Sequence, residues 1–488
     1  MARAPEGVGR RTLLVAAGAT PLAVAAAALT PRSAAADPTV EGEWSAPFNL
    51  GGVAIHATLM HNDQVLLFQD VEGSPNTDFT SLVVTWDWRT GEIAEAPLTY
   101  NRDLFCTHHN VLPDGRVFTA GGHDYATGKK QSPYGAAETD IYDPIARTWT
   151  PTRSMVQKRW YPTQVGLPNG RILVFGGTAQ PGVASKLVES YDPATNTMQT
   201  LPATATKTVG QYPHMFLLAN GRIVRTGPAA TTATFDPATN KWANVTSMQF
   251  GQRSHGAAAL LPGAMQVLAA GGGAPTNRAE VLDMSLATPR WTYTGSLTYA
   301  RILSNMVVLP DGKVLVVGGG RQFKYSNPVK IPELWDPATN AWTPMAAQQA
   351  GRMYHGTALL LPDGRVLSAG QDYGTLARYG EIYSPPYLFR GPRPTILGAP
   401  ASIGPGQTLE FGSPEAAGLA KVVLIRPGSN THEIDSDQRS VPLAFTVSGE
   451  TVSAQIPANR NLLPPGYYLL FAVDGDGVPA VAPWMHVD

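Results

Sequence analysis

From residue 53 to about 385, short apolar runs alternate with turn-forming phrases, and the runs have the length of strands rather than helices. One phrase recurs as Leu112-Pro-Asp-Gly-Arg-Val117, Leu167-Pro-Asn-Gly-Arg-Ile172, Leu218-Ala-Asn-Gly-Arg-Ile223, Leu309-Pro-Asp-Gly-Lys-Val314 and Leu361-Pro-Asp-Gly-Arg-Val366. Two degenerate copies, His61-Asn-Asp-Gln-Val65 and Leu261-Pro-Gly-Ala-Met-Gln-Val267, complete the set. An Asp-Gly or Asn-Gly pair between apolar runs predicts a tight hairpin, because it accepts the positive backbone angles the turn requires. The apolar run after the hairpin frequently ends in Gly-Gly, as at Gly121-Gly122, Gly176-Gly177 and Gly318-Gly319. A second phrase, Tyr142-Asp-Pro, Tyr191-Asp-Pro, Phe235-Asp-Pro and Trp335-Asp-Pro, predicts another strand, a turn and an aromatic packed between neighbouring sheets. The period is about fifty residues with four strands per unit, the kelch spacing and one propeller blade. Seven units predict an all-β fold: a seven-bladed kelch-type β-propeller over residues 40–385.

The pattern changes at Ser384-Pro-Pro-Tyr-Leu-Phe389, where Pro386, Pro392 and Pro394 form a stiff junction. Residues 390–488 carry strands such as Lys421–Ile425, Val441–Thr446 and Tyr467–Val473, the texture of an immunoglobulin-like β-sandwich without its disulfide. At the other end, Arg10-Arg11 precedes an Ala-rich apolar run and Ala34-Ala35-Ala36, so residues 1–36 are expected to be a twin-arginine export signal. A secreted or otherwise extracytoplasmic protein follows, with no transmembrane span in its mature form. A monomer is expected.

Charge narrows the function. Charged residues make up 15% of the chain and nearly cancel, 36 Lys+Arg against 37 Asp+Glu, which argues against nucleic-acid binding. The one cysteine, Cys106, excludes an internal disulfide framework and a Cys-based zinc or iron–sulfur site.

Aligning the blades locates the chemistry. The first strand of each propeller blade lines the central channel, so equivalent strand starts converge at one end of it. Counting back from the Val or Ile after each hairpin gives Ala54, Cys106, Tyr161, Tyr212, His255, Leu303 and His355, with Tyr354 directly before the last. That ring holds the only thiol, phenols and two imidazoles. Imidazole and phenolate in an N,O set suit Cu(II) better than zinc. A thiol and a phenol in neighbouring blades beside a redox metal are positioned for oxidative joining.

These residues resemble the copper radical oxidases, galactose oxidase, glyoxal oxidase and their bacterial relatives, over essentially the whole chain after residue 36. Asp103-Leu-Phe-Cys106 resembles the family's cysteine segment, and Arg159-Trp-Tyr161 resembles the tyrosine segment in its glyoxal oxidase form. Arg352-Met-Tyr-His355 matches the axial tyrosine and a histidine ligand. Asn430-Thr-His432-Glu-Ile-Asp-Ser-Asp-Gln-Arg439 matches a loop of the last domain that completes the site. The resemblance implies copper held by Tyr161, Tyr354, His355 and His432, with one position open. It also implies a Cys106–Tyr161 thioether as the radical, Tyr354 as general base, and oxidation of a primary alcohol or small aldehyde by O2 with release of H2O2. His432 comes from the resemblance alone, and requires the sandwich to send a loop into the propeller channel.

Several features depart from the family or stand outside it. Galactose oxidases stack a tryptophan over the cross-link from the loop after the tyrosine strand. Here that loop reads Gly176-Gly-Thr-Ala-Gln-Pro181, which leaves Trp160 and Tyr212 as alternative shields. With the first blade starting soon after the signal, the carbohydrate-binding domain of galactose oxidases is expected to be missing, which disfavours galactose as substrate. His108 and His109 adjoin the thiol and are candidates for contact with substrate or with copper during loading. Tyr212 and His255 are expected to serve as channel packing. Arg102, Arg159, Arg253, Arg301 and Arg352 recur before the ring and read as structural, with Arg159 and Arg301 also candidates to face substrate. The rival functions are a non-catalytic kelch propeller that binds glycan or protein, and a copper protein without a radical.

Overall fold

The computed structural model describes residues 37–71, 80–124, 134–371 and 373–488; the twin-arginine segment lies outside the described residues. Among the described residues no helix is long and apolar enough to cross a membrane. Seven sheets each carry four blade strands in radial order, for example Thr107–Val111, Val117–Gly121, Thr139–Asp143 and Thr148–Pro151 in blade 2. This is the seven-bladed propeller read from the repeats.

The hairpin phrase forms a type I turn followed by a glycine in the left-handed region, rather than a two-residue loop. Gly115 has φ 86° and donates its N–H to Leu112 O at 2.9 Å. In the degenerate first copy Asp63 takes that conformation, with φ 64°. The Gly-Gly phrases mark close approach between blades: a Cβ on Gly121 would lie 2.6 Å from the Arg159 carbonyl oxygen. Aromatics of the Asp-Pro phrase fill the gaps between sheets as expected. Phe118 of blade 2 stacks on Tyr191 of blade 3 with centroids 4.3 Å apart.

The recurrent arginines are inside the blades. Arg102, Arg159, Arg253, Arg301 and Arg352 pair with Asp140, Glu189, Glu280, Glu333 and Glu381 on the third strands, at 2.7, 2.8, 2.8, 2.7 and 3.6 Å. Arg159 and Arg301 are both 0% exposed, so neither faces substrate. Each also donates to the carbonyl of a Gly-Gly glycine, Gly176 at 2.8 Å and Gly318 at 3.0 Å. Buried charge is tolerable here because each guanidinium finds both a carboxylate and carbonyl acceptors.

Blade 7 is completed from the N-terminal side. Glu43–Trp44 pairs with Tyr383 and Ser384 as its outermost strand, and Trp44 Nε1 donates to Ala346 O at 2.7 Å. Nothing in the repeat phrases announces this two-residue strand.

The C-terminal region is a sandwich of a five-stranded and a three-stranded sheet. Strand Leu419–Arg426 is buried on both faces from Val422 onward: Val422 and Leu424 enter the sandwich core, while Val423 and Ile425 pack with Leu359 and Leu361 of blade 7. The single strand expected over 441–446 is two, Arg439–Leu443 and Phe445–Ser448, on different sheets.

Candidate metal centre

The ring positions share one backbone conformation. Cys106, Tyr161, Tyr212, His255, Leu303 and His355 have φ of 61, 60, 39, 55, 61 and 66°, and Ala54 is the exception. Left-handed backbone costs an L-residue roughly 1–2 kcal/mol. Hydrogen bonds between blades offset that cost: Cys106 O accepts from Tyr161 N at 3.1 Å, Tyr161 O from Tyr212 N at 2.8 Å, and His255 O from Leu303 N at 2.8 Å. The turn aims these side chains at the channel mouth.

A finger from the sandwich enters the channel, as the resemblance required. Ser429–Thr431 and Ile434–Asp435 form a short hairpin that extends the inner edge of blade 1, with Thr431 opposite His56 and Ser429 opposite Thr58. His432 sits at its tip with φ 54°. Side-chain bonds fix the finger from several blades: Asn430 Oδ1 accepts from Ala358 N at 3.1 Å, Asp437 from Val111 N at 2.8 Å, and Gln438 from Val308 N at 2.8 Å.

The fold thus brings together Cys106, Tyr161, Tyr354, His355 and His432. His432 Nε2 lies 3.1 Å from the Tyr161 hydroxyl, which is itself hydrogen-bonded to the Tyr354 hydroxyl. One ligand atom each from Cys106, His355 and His432 falls within 4.8 Å of the others. The tautomer of His432 follows from its neighbour. Thr431 Oγ1 gives its one proton to Ile55 O at 3.0 Å, so at its 2.8 Å contact with His432 Nδ1 it accepts. Nδ1 therefore carries the proton, and Nε2 presents its lone pair toward the phenols. Burial, reinforced by His355, holds the His432 imidazole well below its usual pKa and hence neutral. Burial likewise pushes the Cys106 thiol and the Tyr161 phenol well above their usual values.

Tyr161 is enclosed by aromatic rings on both faces. Trp160 stacks at 3.8 Å and 14°, and Tyr212 at 4.3 Å and 24°. The two candidates for a shield thus both cover the phenol. Tyr212 also donates to Thr107 O at 2.6 Å. A cleft of about 220 Å³ opens over the centre, lined by Tyr161, Tyr212, Tyr354 and His432 together with His214, His255 and Glu433. Tyr212 and His255, expected as channel packing, both line this cleft. His108 and His109 are 0% exposed and do not line this cleft.

Sequence reading missed Glu433 and His214. Glu433 adjoins His432 in the quoted loop and pairs with His255 Nδ1 at 3.0 Å. His214 follows Tyr212 by two residues, on the same blade entrance. Only nearness in the chain to His432 and to Tyr212 marked them.

A propeller whose axis gathers phenol, imidazole and thiol, capped by a sandwich that inserts a histidine, is a recognisable class of architecture. A family model described as the glyoxal oxidase N-terminus matches residues 62–385, and one described as a galactose oxidase-like early set domain matches residues 393–487. The chain belongs to the copper radical oxidase family, with galactose oxidase and glyoxal oxidase. A galactose oxidase of Gibberella zeae is 29% identical over 85% of this chain, which spans 65% of that relative's length. An Arabidopsis thaliana aldehyde oxidase, GLOX1, is 27% identical over 82% of this chain and 74% of its own. The solved structure of a fungal alcohol oxidase in complex with copper superposes with a TM-score of 0.81 at 25% identity, covering 91% of this chain and 99% of that one.

Proposed function

We propose that the protein is an exported copper radical oxidase that converts a primary alcohol or small aldehyde into the aldehyde or acid, reducing O2 to H2O2. The observation that carries this reading is the convergence of Tyr161, Tyr354, His355, His432 and Cys106 on one point of the propeller axis. Two imidazoles and two phenols form an N,O donor set that suits Cu(II), and the Nε2 lone pair of His432 already faces that point. Copper held by Tyr161, Tyr354, His355 and His432 would supply Lewis acidity toward a substrate oxygen and one of the two electron holes the oxidation needs.

The protein's own residues supply the rest. Cys106 packs against Tyr161 in one buried cluster, the arrangement needed for a thioether. Sulfur on the ring lowers the oxidation potential of the phenol, so a Tyr161 radical can serve as the second hole and take the hydrogen atom from the substrate carbon. Trp160 and Tyr212, stacked on that ring, keep water and reductants from it. Tyr354 lines the cleft, and as a phenolate it would take the hydroxyl proton. Export rests on Arg10-Arg11 and the apolar run after it.

Loading the copper-free protein with Cu(II) in air tests the reading. Intact mass should fall by two hydrogens, and peroxide should appear with glycolaldehyde, glyoxal or a simple alcohol. An unchanged mass, or an equal fall in Cys106→Ala, overturns it and leaves a copper protein without a radical. Failure to bind copper at all would leave the non-catalytic propeller.

A further inference from the structure

Turning an aldehyde into an acid sets a requirement that an alcohol does not. The oxidation begins from a substrate hydroxyl, and an aldehyde has none until water adds to its carbonyl. The cleft holds a pair suited to that addition, which the oxidation leaves unused. His255 Nδ1 lies 3.0 Å from Glu433 Oε1, and both residues line the same cleft as Tyr161, Tyr354 and His432. An ionised carboxylate only accepts, so Nδ1 carries the proton and the neutral ring has its lone pair on Nε2. That Nε2 makes no hydrogen bond among the described residues. The His255 side chain is 39% exposed, whereas His214 and His432 are 5% and 3% exposed, so His255 is the cleft imidazole open to water. A carboxylate behind an imidazole fixes its tautomer and stabilises the imidazolium formed when Nε2 takes a proton, as a general base requires.

We propose that His255 and Glu433 catalyse hydration of an aldehyde in the cleft, an activity separate from the oxidation. A water gives a proton to His255 Nε2 while its oxygen bonds to the carbonyl carbon. The carbonyl π pair moves to the carbonyl oxygen, which takes the proton back from Nε2. Atoms balance, no electron is transferred, and His255 returns to its starting form. Glu433 keeps its charge throughout and stabilises the intervening imidazolium. One water occupies about 30 Å³, so a cleft of about 220 Å³ takes it together with a two- or three-carbon aldehyde. The product, a geminal diol, carries the hydroxyl that the oxidation needs. An alcohol needs no such step, so the pair serves the second oxidation, from aldehyde to acid. Hydration rests on the reading that this cleft admits an aldehyde, but it is measurable without copper.

The experiment follows exchange between acetaldehyde and its hydrate in the presence of copper-free protein, read by proton NMR magnetisation transfer. Wild type should speed exchange by about a hundredfold or more over free imidazole at the same concentration, the lower range for a positioned general base. His255→Gln should remove that gain, and Glu433→Gln should lower it by at least about tenfold through loss of the charge behind the ring. In the copper-loaded enzyme supplied with ethanol, the ratio of acetate to acetaldehyde in the first turnovers should fall by about tenfold in His255→Gln. Exchange no faster in wild type than in His255→Gln overturns hydration by this pair, and so does equal exchange in wild type and Glu433→Gln. A loss of exchange matched by an equal loss of copper affinity also overturns it, because the pair would then be a tether of the finger. If loaded wild type yields no peroxide while the copper-free protein still speeds exchange, the oxidase reading falls and hydration stands.

Discussion

Two sets of recurring positions lie two to four residues apart in five of the blades and are filled in opposite ways. The arginine before the ring keeps its identity in five blades and its carboxylate partner in each of them. The ring position keeps only its backbone: Cys106, Tyr161, Tyr212, His255, Leu303 and His355 share the left-handed conformation with unrelated side chains. Leu303 is instructive, because it bears the same φ of 61° as Cys106 and no chemistry. The unusual backbone is thus a feature of how blades join, and function was added by choosing what each joint presents. Strain alone does not mark the active residues here.

The sharpest way to break that comparison is at the chemical positions. Tyr354→Phe should lower kcat by about 10² to 10⁴, the range for removing a general base. The two-hydrogen mass loss should persist, since Cys106 and Tyr161 are untouched. A kcat within a factor of a few of wild type would remove Tyr354 from proton transfer. The scaffold positions should respond oppositely. Arg301→Met strands the buried carboxylate of Glu333 and should cost about 3–5 kcal/mol in denaturant unfolding. Its rate per copper-loaded folded molecule should match wild type. A normal unfolding midpoint with a reduced rate would instead place Arg301 at the substrate.

How much of this was legible in the sequence follows from where each residue stands relative to the repeat. The hairpin phrase is locked to the inner strand by a fixed number of residues, so counting back from it reaches Cys106, Tyr161 and His355 directly. Tyr354 then follows by adjacency. His432 lies outside the repeat, and no periodicity points to it; family resemblance supplied it. Closure of blade 7 by Glu43–Trp44 was hidden for a related reason, since a two-residue strand carries no pattern. The His255–Glu433 pair joins the propeller to the finger across 178 positions in the chain, a relation set by docking alone.

The finger is the region without a counterpart in any blade, and its tip has its own tuning. Thr431→Val removes the acceptor that holds the proton on His432 Nδ1. Copper affinity should fall by about tenfold to a hundredfold, as for other groups that orient a metal-binding histidine. Competition with a chelator of known affinity measures it. An unchanged affinity would mean the hairpin backbone alone orients the ring.

The smallest effect concerns Asp435, whose carboxyl burial pushes up to about 6 despite backbone donors from Ser429, Asp437 and Gln438. The ordinary value in an unfolded chain is about 4. Between those two pH values the folded protein holds a proton that the unfolded chain has lost, so stability falls as pH rises through the interval and stays lower above it. Asn is the closest uncharged counterpart of the protonated acid and keeps the Oδ1 acceptor. Asp435→Asn should therefore raise stability above pH 7 by on the order of 1–2 kcal/mol and leave it nearly unchanged at pH 4. Unfolding midpoints at the two pH values decide it: a loss at neutral pH would show that the ionised carboxylate holds the finger through its backbone bonds. In that case the finger, like the blades, would depend on a buried charge that is fully compensated.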